Sequence, residues 1–141
     1  MNPSAQTLLA FDYGTRRIGV AVGQDLTRTA SPLETITVTR SRPDWEAITR
    51  LIAEWRPGSL IVGIPYNDDG SEHALTRAAR RFGHQLQGRY QLPVHSVDER
   101  LSSHEAERVA RAARGAGKRV KQDIDKIAAQ FILQTWLSEG T

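Results

Sequence analysis

The sequence predicts an α/β fold in which a five-stranded mixed sheet is flanked by helices. Residues 7–22 carry two apolar strand patterns that turn back around Gly14 and Thr15, and residues 31–39 carry a third. Helical and strand patterns then alternate toward the C-terminus. Consecutive strands of this kind form an antiparallel meander, whereas strands joined through a helix pair in parallel by right-handed crossovers. The expected element order is therefore β-β-β-α-β-α-β-α-α.

The length and composition indicate one globular domain. With 141 residues the chain can bury one core but is short for two ordinary domains, so a single domain over residues 1–141 is expected. All apolar runs are shorter than the roughly 18 residues that span a membrane, so no membrane association is expected. The lack of cysteine excludes disulfides and thiolate metal sites, and an N-terminus without a basic or apolar leader predicts a cytoplasmic location.

The first strand places an acidic residue at its end. Because side chains alternate between the two faces of a strand, Leu8, Ala10 and Asp12 share one face. Asp12 thus continues an apolar row at the point where the strand ends. Since it precedes Tyr13 and Gly14, opening a turn through its side-chain oxygen is the alternative to a role in a functional site.

The middle of the chain predicts two helices and two strands. Apolar residues at helical spacing indicate a helix over residues 45–55, with Pro43 suited to its first turn. The apolar run at residues 60–64 indicates a buried parallel strand followed by a turn-rich loop. A second helix is indicated over residues 75–86, and a fifth strand over residues 92–97.

Two further helices are predicted near the C-terminus. Ser102 and Glu105 have the spacing of a capping box, which starts the first of them. Residues 114–121 predict a basic loop that contains glycine. The last helix has an apolar stripe beginning at Ile124, and Asp123 is suited to cap its first turn.

Positive charge is distributed unevenly along the chain. The net charge is only +3, but residues 100–121 contain seven Arg or Lys against two Glu, and residues 77–89 contain four Arg and no acid. Such blocks favour an anionic partner such as nucleic acid. A solvated helix face is the structural alternative for each block.

Three acidic positions are expected to meet at one edge of the sheet. Asp12 and the pair Asp98 and Glu99 lie at strand C-termini, where ligands gather in such sheets, and Asp123 or Asp125 lies near the start of the last helix. Carboxylates suit Mg²⁺, or Mn²⁺ in its place, and two such ions can stabilise both oxygens of a phosphoryl displacement. The joint pattern predicts a metal-dependent phosphodiester site.

Each acidic position also has a structural alternative. Asp98 and Glu99 fit a strand-end loop in which an acid pairs with Arg100, and either Asp123 or Asp125 suits the electrostatics of a helix N-terminus. Whether Asp98 or Asp123 would also contact metal is left open. The four histidines show no metal-ligand spacing.

Four segments resemble, in order, the motif blocks of the bacterial YqgF/RuvX family: residues 11–21, 62–65, 98–103 and 124–129. The resemblance implies an RNase H-like fold and a nuclease linked to maturation of the 5′ end of pre-16S rRNA, a family also described as Holliday junction resolvases. Its acidic set falls on Asp12, Glu99 and Asp125. Related nucleases place their second carboxylate at the end of the strand that here carries Gly63 and no acid, so Glu99 would take over that role.

Basic residues close to these motifs are candidates for binding nucleic acid. Arg16 and Arg17 lie at the first hairpin and could bind phosphate across it, although surface charges there need no function. The three cations before the last helix are stronger candidates, because they immediately precede the helix that carries Asp125. The full candidate set is Arg16, Arg17, Arg100, Lys118, Arg119 and Lys121.

Three functions compete at this point. The first is a nuclease acting on pre-rRNA, the second is a Holliday junction resolvase acting on branched DNA, and the third is a non-catalytic RNA-binding factor in ribosome assembly. The Asp-x-Gly-Thr hairpin also resembles the first phosphate loop of the actin, Hsp70 and sugar-kinase fold, but 141 residues lack the second hairpin that this fold requires. The sequence leaves the choice of RNA or DNA, the cleavage position and a monomer or homodimer open.

Overall fold

The computed structural model describes residues 6–101 and 117–139, together with Arg108 and Gly115. The helix predicted to start at Ser102 lies outside these ranges apart from Arg108, and only the backbone of Lys118 is described. The elements are β1 (Thr7–Tyr13), β2 (Arg17–Gln24), β3 (Thr29–Thr39), β4 (Arg42–Pro43), α1 (Trp45–Trp55), β5 (Ser59–Ile64), α2 (Ala74–Tyr90), β6 (Val94–Asp98), a 3-10 turn (Glu99–Leu101) and α3 (Lys118–Glu139).

The strands form one mixed sheet in the order β4-β3-β2-β1-β5-β6. The pairs from β4 to β1 are antiparallel, and β5 lies parallel to both β1 and β6. The predicted meander and parallel crossovers are therefore confirmed. The predicted count of five strands is one too low, because the two-residue strand β4 extends the sheet beyond β3.

The additional strand follows a tight hairpin. Arg40 and Ser41, which join β3 to β4, have φ values of 51° and 65°. Two successive left-handed residues are the geometry of a type I′ turn, which glycine and asparagine usually supply. Because the turn contains neither glycine nor asparagine, the sequence gives no signal for this hairpin. The prediction that Pro43 lies in the first turn of α1 is wrong, because Pro43 belongs to β4. Asp44 instead caps that helix by accepting the N–H of Ala47 at 3.2 Å.

Helices cover both faces of the sheet. One face is packed against α1 and α2 by a cluster that includes Leu9, Phe11, Val62 and Phe82. The other face, called the α3 face from here on, is packed against α3. Its buried cluster consists of Leu8, Ala10, Ala21, Ile61, Val97, Ala129, Ile132, Leu133 and Leu137. The row formed by Leu8, Ala10 and Asp12 therefore lies on the α3 face, as its alternation predicts.

The last helix begins earlier than expected. It starts at Lys118, where the N–H groups of Val120 and Lys121 donate to the carbonyl oxygen of Gly117. The predicted basic loop is therefore wrong in its second half, because Lys and Arg are good helix formers and extend the helix. Asp123 lies inside the helix and is not its cap. No helix among the described residues is long and apolar enough to cross a membrane.

Candidate active site

The carboxyl ends of β1, β5 and β6 share one edge of the sheet, called the site edge below. Asp12, near the end of β1, lies between Gly19 on β2 and Gly63 on β5 in register. Glu99 directly follows β6 in the 3-10 turn, and Asp125 lies on α3. The parallel strand order therefore brings Asp12 and Glu99 together, as expected.

The two glycines beside Asp12 determine how closely the other acids approach. A Cβ atom at Gly19 would overlap the carbonyl oxygen of Asp125, so the backbone of α3 packs directly against β2 there. A Cβ atom at Gly63 would lie 2.9 Å from Oε1 of Glu99. The missing side chains thus leave room for one acid on each side of Asp12. The sequence signal for this arrangement is a glycine on each strand that flanks β1.

Asp12 lies where burial and like charges act together. Removal from water raises the pKa of its carboxyl group well above the ordinary value, and a hydrogen bond with Glu99 and the charges of Glu99 and Asp125 raise the pKa further. Oε1 of Glu99 is itself buried. Ionisation of Asp12 is therefore costly without a compensating positive charge. A cation bound at this position would supply that charge.

Asp125 is neutralised by an arginine. Nε of Arg17 donates to Oδ2 of Asp125 at 2.5 Å, across 108 residues of sequence. Burial raises the pKa of Asp125, while the hydrogen bond and charge of Arg17 oppose that rise. Both side chains are mostly buried, with 29% and 22% of their surfaces exposed. Arg17, expected at a substrate phosphate, therefore uses at least one donor within the site itself.

The three acids of the site are the right type of ligand for a hard divalent cation, but their side chains do not yet converge on one point. Carboxylate oxygens are the ligands that Mg²⁺ and Mn²⁺ prefer. Within the described residues, however, no three acidic or histidine side chains converge closely enough to hold a metal ion. Asp12 and Glu99 supply a two-carboxylate face, and Asp125 would complete it after turning away from Arg17.

The two acids left open by the sequence have other partners. Arg100 holds Asp98 through Nη2 at 2.6 Å and Nε at 3.1 Å, which lowers the pKa of Asp98. Asp123 pairs with Lys126 at 3.1 Å. The pair of Asp98 with Arg100 matches its structural alternative, whereas Asp123 pairs with a lysine inside the helix and does not lie at the helix N-terminus.

Arg100 stabilises the turn that carries Glu99. Besides holding Asp98, its guanidinium lies 5.4 Å from the centre of the Tyr66 ring and donates to the carbonyl oxygen of Asp68 at 3.4 Å. These contacts link the end of β6 to the loop after β5. The other predicted cations, Arg16, Arg119 and Lys121, are exposed, and the side chain of Lys118 lies outside the described structure.

Comparison with known proteins identifies the family. The model of the RuvX family, described as Holliday junction resolvase, matches residues 6–139. The chain belongs to the RuvX family. A protein of Nitrosococcus oceani named "Putative pre-16S rRNA nuclease" is 56% identical to this RuvX chain, over 94% of the chain and 86% of the relative. One of Saccharophagus degradans with the same name is 46% identical, over 94% of each.

A solved structure supports the fold assignment of this RuvX chain. The RuvC of T. thermophilus, in complex with a Holliday junction substrate, superposes with a TM-score of 0.55 over 96% of both chains. The two sequences are 17% identical, so the likeness concerns the fold alone. The fold is RNase H-like, as the sequence resemblance implies.

Proposed function

We propose that this chain is a divalent-metal-dependent nuclease that hydrolyses phosphodiester bonds in the maturation of the 5′ end of pre-16S rRNA. Asp12, Glu99 and Asp125 are its catalytic and metal-binding residues. The observation that carries this proposal is the hydrogen-bond contact between the carboxyl groups of Asp12 and Glu99, with the charge of Asp125 acting on the same site. A carboxyl group whose pKa is raised by burial and by neighbouring acids, as that of Asp12 is, marks a candidate functional site.

The residues of the site divide the chemistry between them. Mg²⁺ or Mn²⁺ held by these carboxylates would activate a water molecule and stabilise the charge that develops on the phosphate. Asp12 and Glu99 would each present a carboxylate oxygen to the ion. Asp125 would add the third carboxylate, which is paired with Arg17 in the structure. The guanidinium of Arg17 has further N–H donors beyond the one on Asp125, which suit a phosphate oxygen.

Support for an RNA substrate comes from the relatives and from the charge around the site. The relatives described above carry pre-16S rRNA in their names. Arg119 and Lys121 lie in the first turn of α3, where the helix dipole disfavours cations, so a phosphate partner explains them better than helix stability does. Because the relatives are named for pre-16S rRNA, the cytoplasm is the proposed location.

Branched DNA is the second candidate substrate. The description of the matching family, Holliday junction resolvase, favours it. The phosphodiester chemistry would be the same, so the site geometry serves both substrates. A cleavage assay on both substrates is needed to distinguish the two functions.

One experiment separates the candidates. The purified protein is incubated with a 5′-extended pre-16S rRNA fragment and, separately, with a four-way DNA junction, each with Mg²⁺, Mn²⁺ or EDTA, and the cuts are mapped. We expect metal-dependent cuts in the RNA by wild type and by Asp123→Asn, and none by Asp12→Asn. Cleavage confined to the junction would favour the resolvase. Tight RNA binding with no cleavage under any metal would make the chain a non-catalytic assembly factor.

A further inference from the structure

The hairpin between β3 and β4 reaches the same edge of the sheet as the acids. Strand β3 runs antiparallel to β2, so its C-terminal end lies beside the start of β2, with Thr37 opposite Arg17. Strand β4 continues outward, with Arg42 opposite Thr39. The hairpin therefore extends the site edge away from Asp12.

The side chains of this hairpin also share the face of the sheet that carries the acids. Thr35 lies on the α3 face, because its hydroxyl donates to the carbonyl oxygen of Gln122 at 2.6 Å. Alternation then puts Thr37 and Thr39 on the same face, and Arg42 with them as the cross-strand partner of Thr39. Thr39 lies about 13 Å along β3 beyond Thr35. Thr35 lies in register with Gly19 on β2, and Gly19 with Asp12 on β1.

Two arginines of the hairpin are available for a ligand. Arg40 and Arg42 are exposed, and across the described part of the chain neither side chain has a hydrogen bond or an ion pair. Arg17, Arg50, Arg80 and Arg100, by contrast, are each paired with an acid. An open cleft of about 530 Å³ lies beside the hairpin, lined by Thr37, Thr39, Arg40, Arg42, Pro43 and Asp44.

The acid in this cleft cancels only part of the positive charge. Oδ1 of Asp44 accepts the N–H of Ala47 as the helix cap, which occupies it within α1. The cleft therefore presents two arginines and two threonine hydroxyls against one engaged carboxylate. This is the chemistry that binds a phosphate backbone.

The backbone holds the two arginines in place. The N–H of Val38 donates to the carbonyl oxygen of Arg16 at 2.9 Å, and the N–H of Asp44 donates to that of Thr37 at 3.1 Å. The first bond ties the β3–β4 hairpin to the β1–β2 hairpin. Arg40 and Ser41 hold left-handed conformations that cost more than they would for glycine.

We propose that Arg40 and Arg42 bind the phosphate backbone of the RNA strand that leads to the acids at Asp12. The strand would run along the site edge, past the end of β3 and the start of β2, because α3 covers the face of these strands further in. This inference rests on the proposed nuclease function for the identity of the strand, but not for the binding itself.

The test is RNA binding without catalysis. Fluorescence anisotropy of a labelled, 5′-extended pre-16S rRNA fragment is measured in EDTA over a range of salt concentrations for Arg40→Gln/Arg42→Gln. The matched control is Arg50→Gln/Arg56→Gln, which removes the same charge from α1 and its end. We expect the hairpin variant to bind more weakly and its log-log salt slope to fall by up to about 0.7 for each phosphate that it no longer neutralises.

The control variant should keep the wild-type slope, and Arg40→Lys/Arg42→Lys should recover most of it because charge is restored. An unchanged slope in a folded hairpin variant, or an equal loss in the control, would overturn the inference. Cleavage is measured separately at saturating RNA. If wild type binds this RNA and does not cut it, the nuclease proposal fails while the hairpin result still stands.

Discussion

At the scale of single residues, Asp12 is where function conflicts most with stability. In the unfolded chain its carboxyl group ionises near the ordinary pKa of 3.8, whereas in the folded protein burial and Glu99 raise the pKa well above that value. Folding therefore favours the protonated form. The stabilising effect of that proton is complete below the unfolded pKa and is lost as the pH rises through the raised, folded pKa.

Asp12→Asn should remove this pH dependence and stabilise the metal-free protein at neutral pH, because the amide stays neutral where the carboxyl group would have to ionise beside Glu99. Metal-dependent cleavage should be lost. Urea unfolding in EDTA at a series of pH values measures the first effect, and initial rates measure the second. If the stabilities of wild type and variant changed in parallel with pH, ionisation of Asp12 would not destabilise the fold.

Arg17 acts as an internal substitute for a cation at Asp125. Arg17→Gln should therefore tighten Mn²⁺ binding about fivefold, equivalent to about 1 kcal/mol, because Asp125 loses a competing positive charge. The loss of the partly exposed ion pair should cost about 1 kcal/mol or less of stability. Isothermal titration with Mn²⁺ in the absence of RNA gives the affinity. Arg16→Gln is the control, since it removes the same charge without touching Asp125, and equal affinities for the two variants would contradict the role of Arg17.

At the scale of elements, the close packing of α3 on β2 depends on a missing side chain. Gly19→Ala should cost about 1–3 kcal/mol and depress cleavage, because its Cβ atom would overlap the backbone of Asp125 and push α3 away. Gly88→Ala on α2 has nothing within 4 Å and should gain up to about 1 kcal/mol. Chemical denaturation of both variants gives the comparison. A Gly19 variant as stable and active as wild type would mean that α3 does not need this contact.

The early start of α3 changes the expected roles of its two acids. Asp123 is an exposed side chain inside the helix and pairs with Lys126, so Asp123→Ala should change stability by less than about 0.5 kcal/mol. Asp125→Asn should lower turnover by several orders of magnitude, since it removes a proposed metal ligand. Thermal melts and initial rates on both variants test this. An inactive Asp123 variant beside an active Asp125 variant would move the third ligand by half a turn.

The elements could be predicted from sequence where periodicity is strong, and less well where conformation is unusual. The alternation in β1 and the helical stripe of α1 place Asp12 and Trp45 correctly. The hairpin at Arg40 carries no glycine or asparagine, so its left-handed backbone leaves no mark in the sequence. The bond from Arg17 to Asp125 spans 108 residues, and only the fold brings its ends together. Long-range pairing of this kind has no local pattern to read.

At the scale of the whole molecule, positive charge is concentrated around the acids of the site edge. The net charge is only +3, yet exposed arginine and lysine side chains at the first hairpin, the β3–β4 hairpin and the start of α3 border the site edge. A cationic border around an anionic centre attracts a polyanion to the place where it is cut. Such a surface is arranged for binding at some cost to stability.

That cost is measurable at the start of α3. Arg119→Gln/Lys121→Gln should raise the melting temperature, because removing cations from the positive end of a helix dipole gains about 0.3–1 kcal/mol for each charge. The same variant should bind RNA more weakly, with a salt slope reduced by up to about 0.7 for each phosphate left without its cation. Differential scanning calorimetry and anisotropy in EDTA provide the two readouts. If the border serves binding, stability and affinity must change in opposite directions, and a variant in which both fall, or neither changes, would show that these cations belong to the helix and not to the substrate.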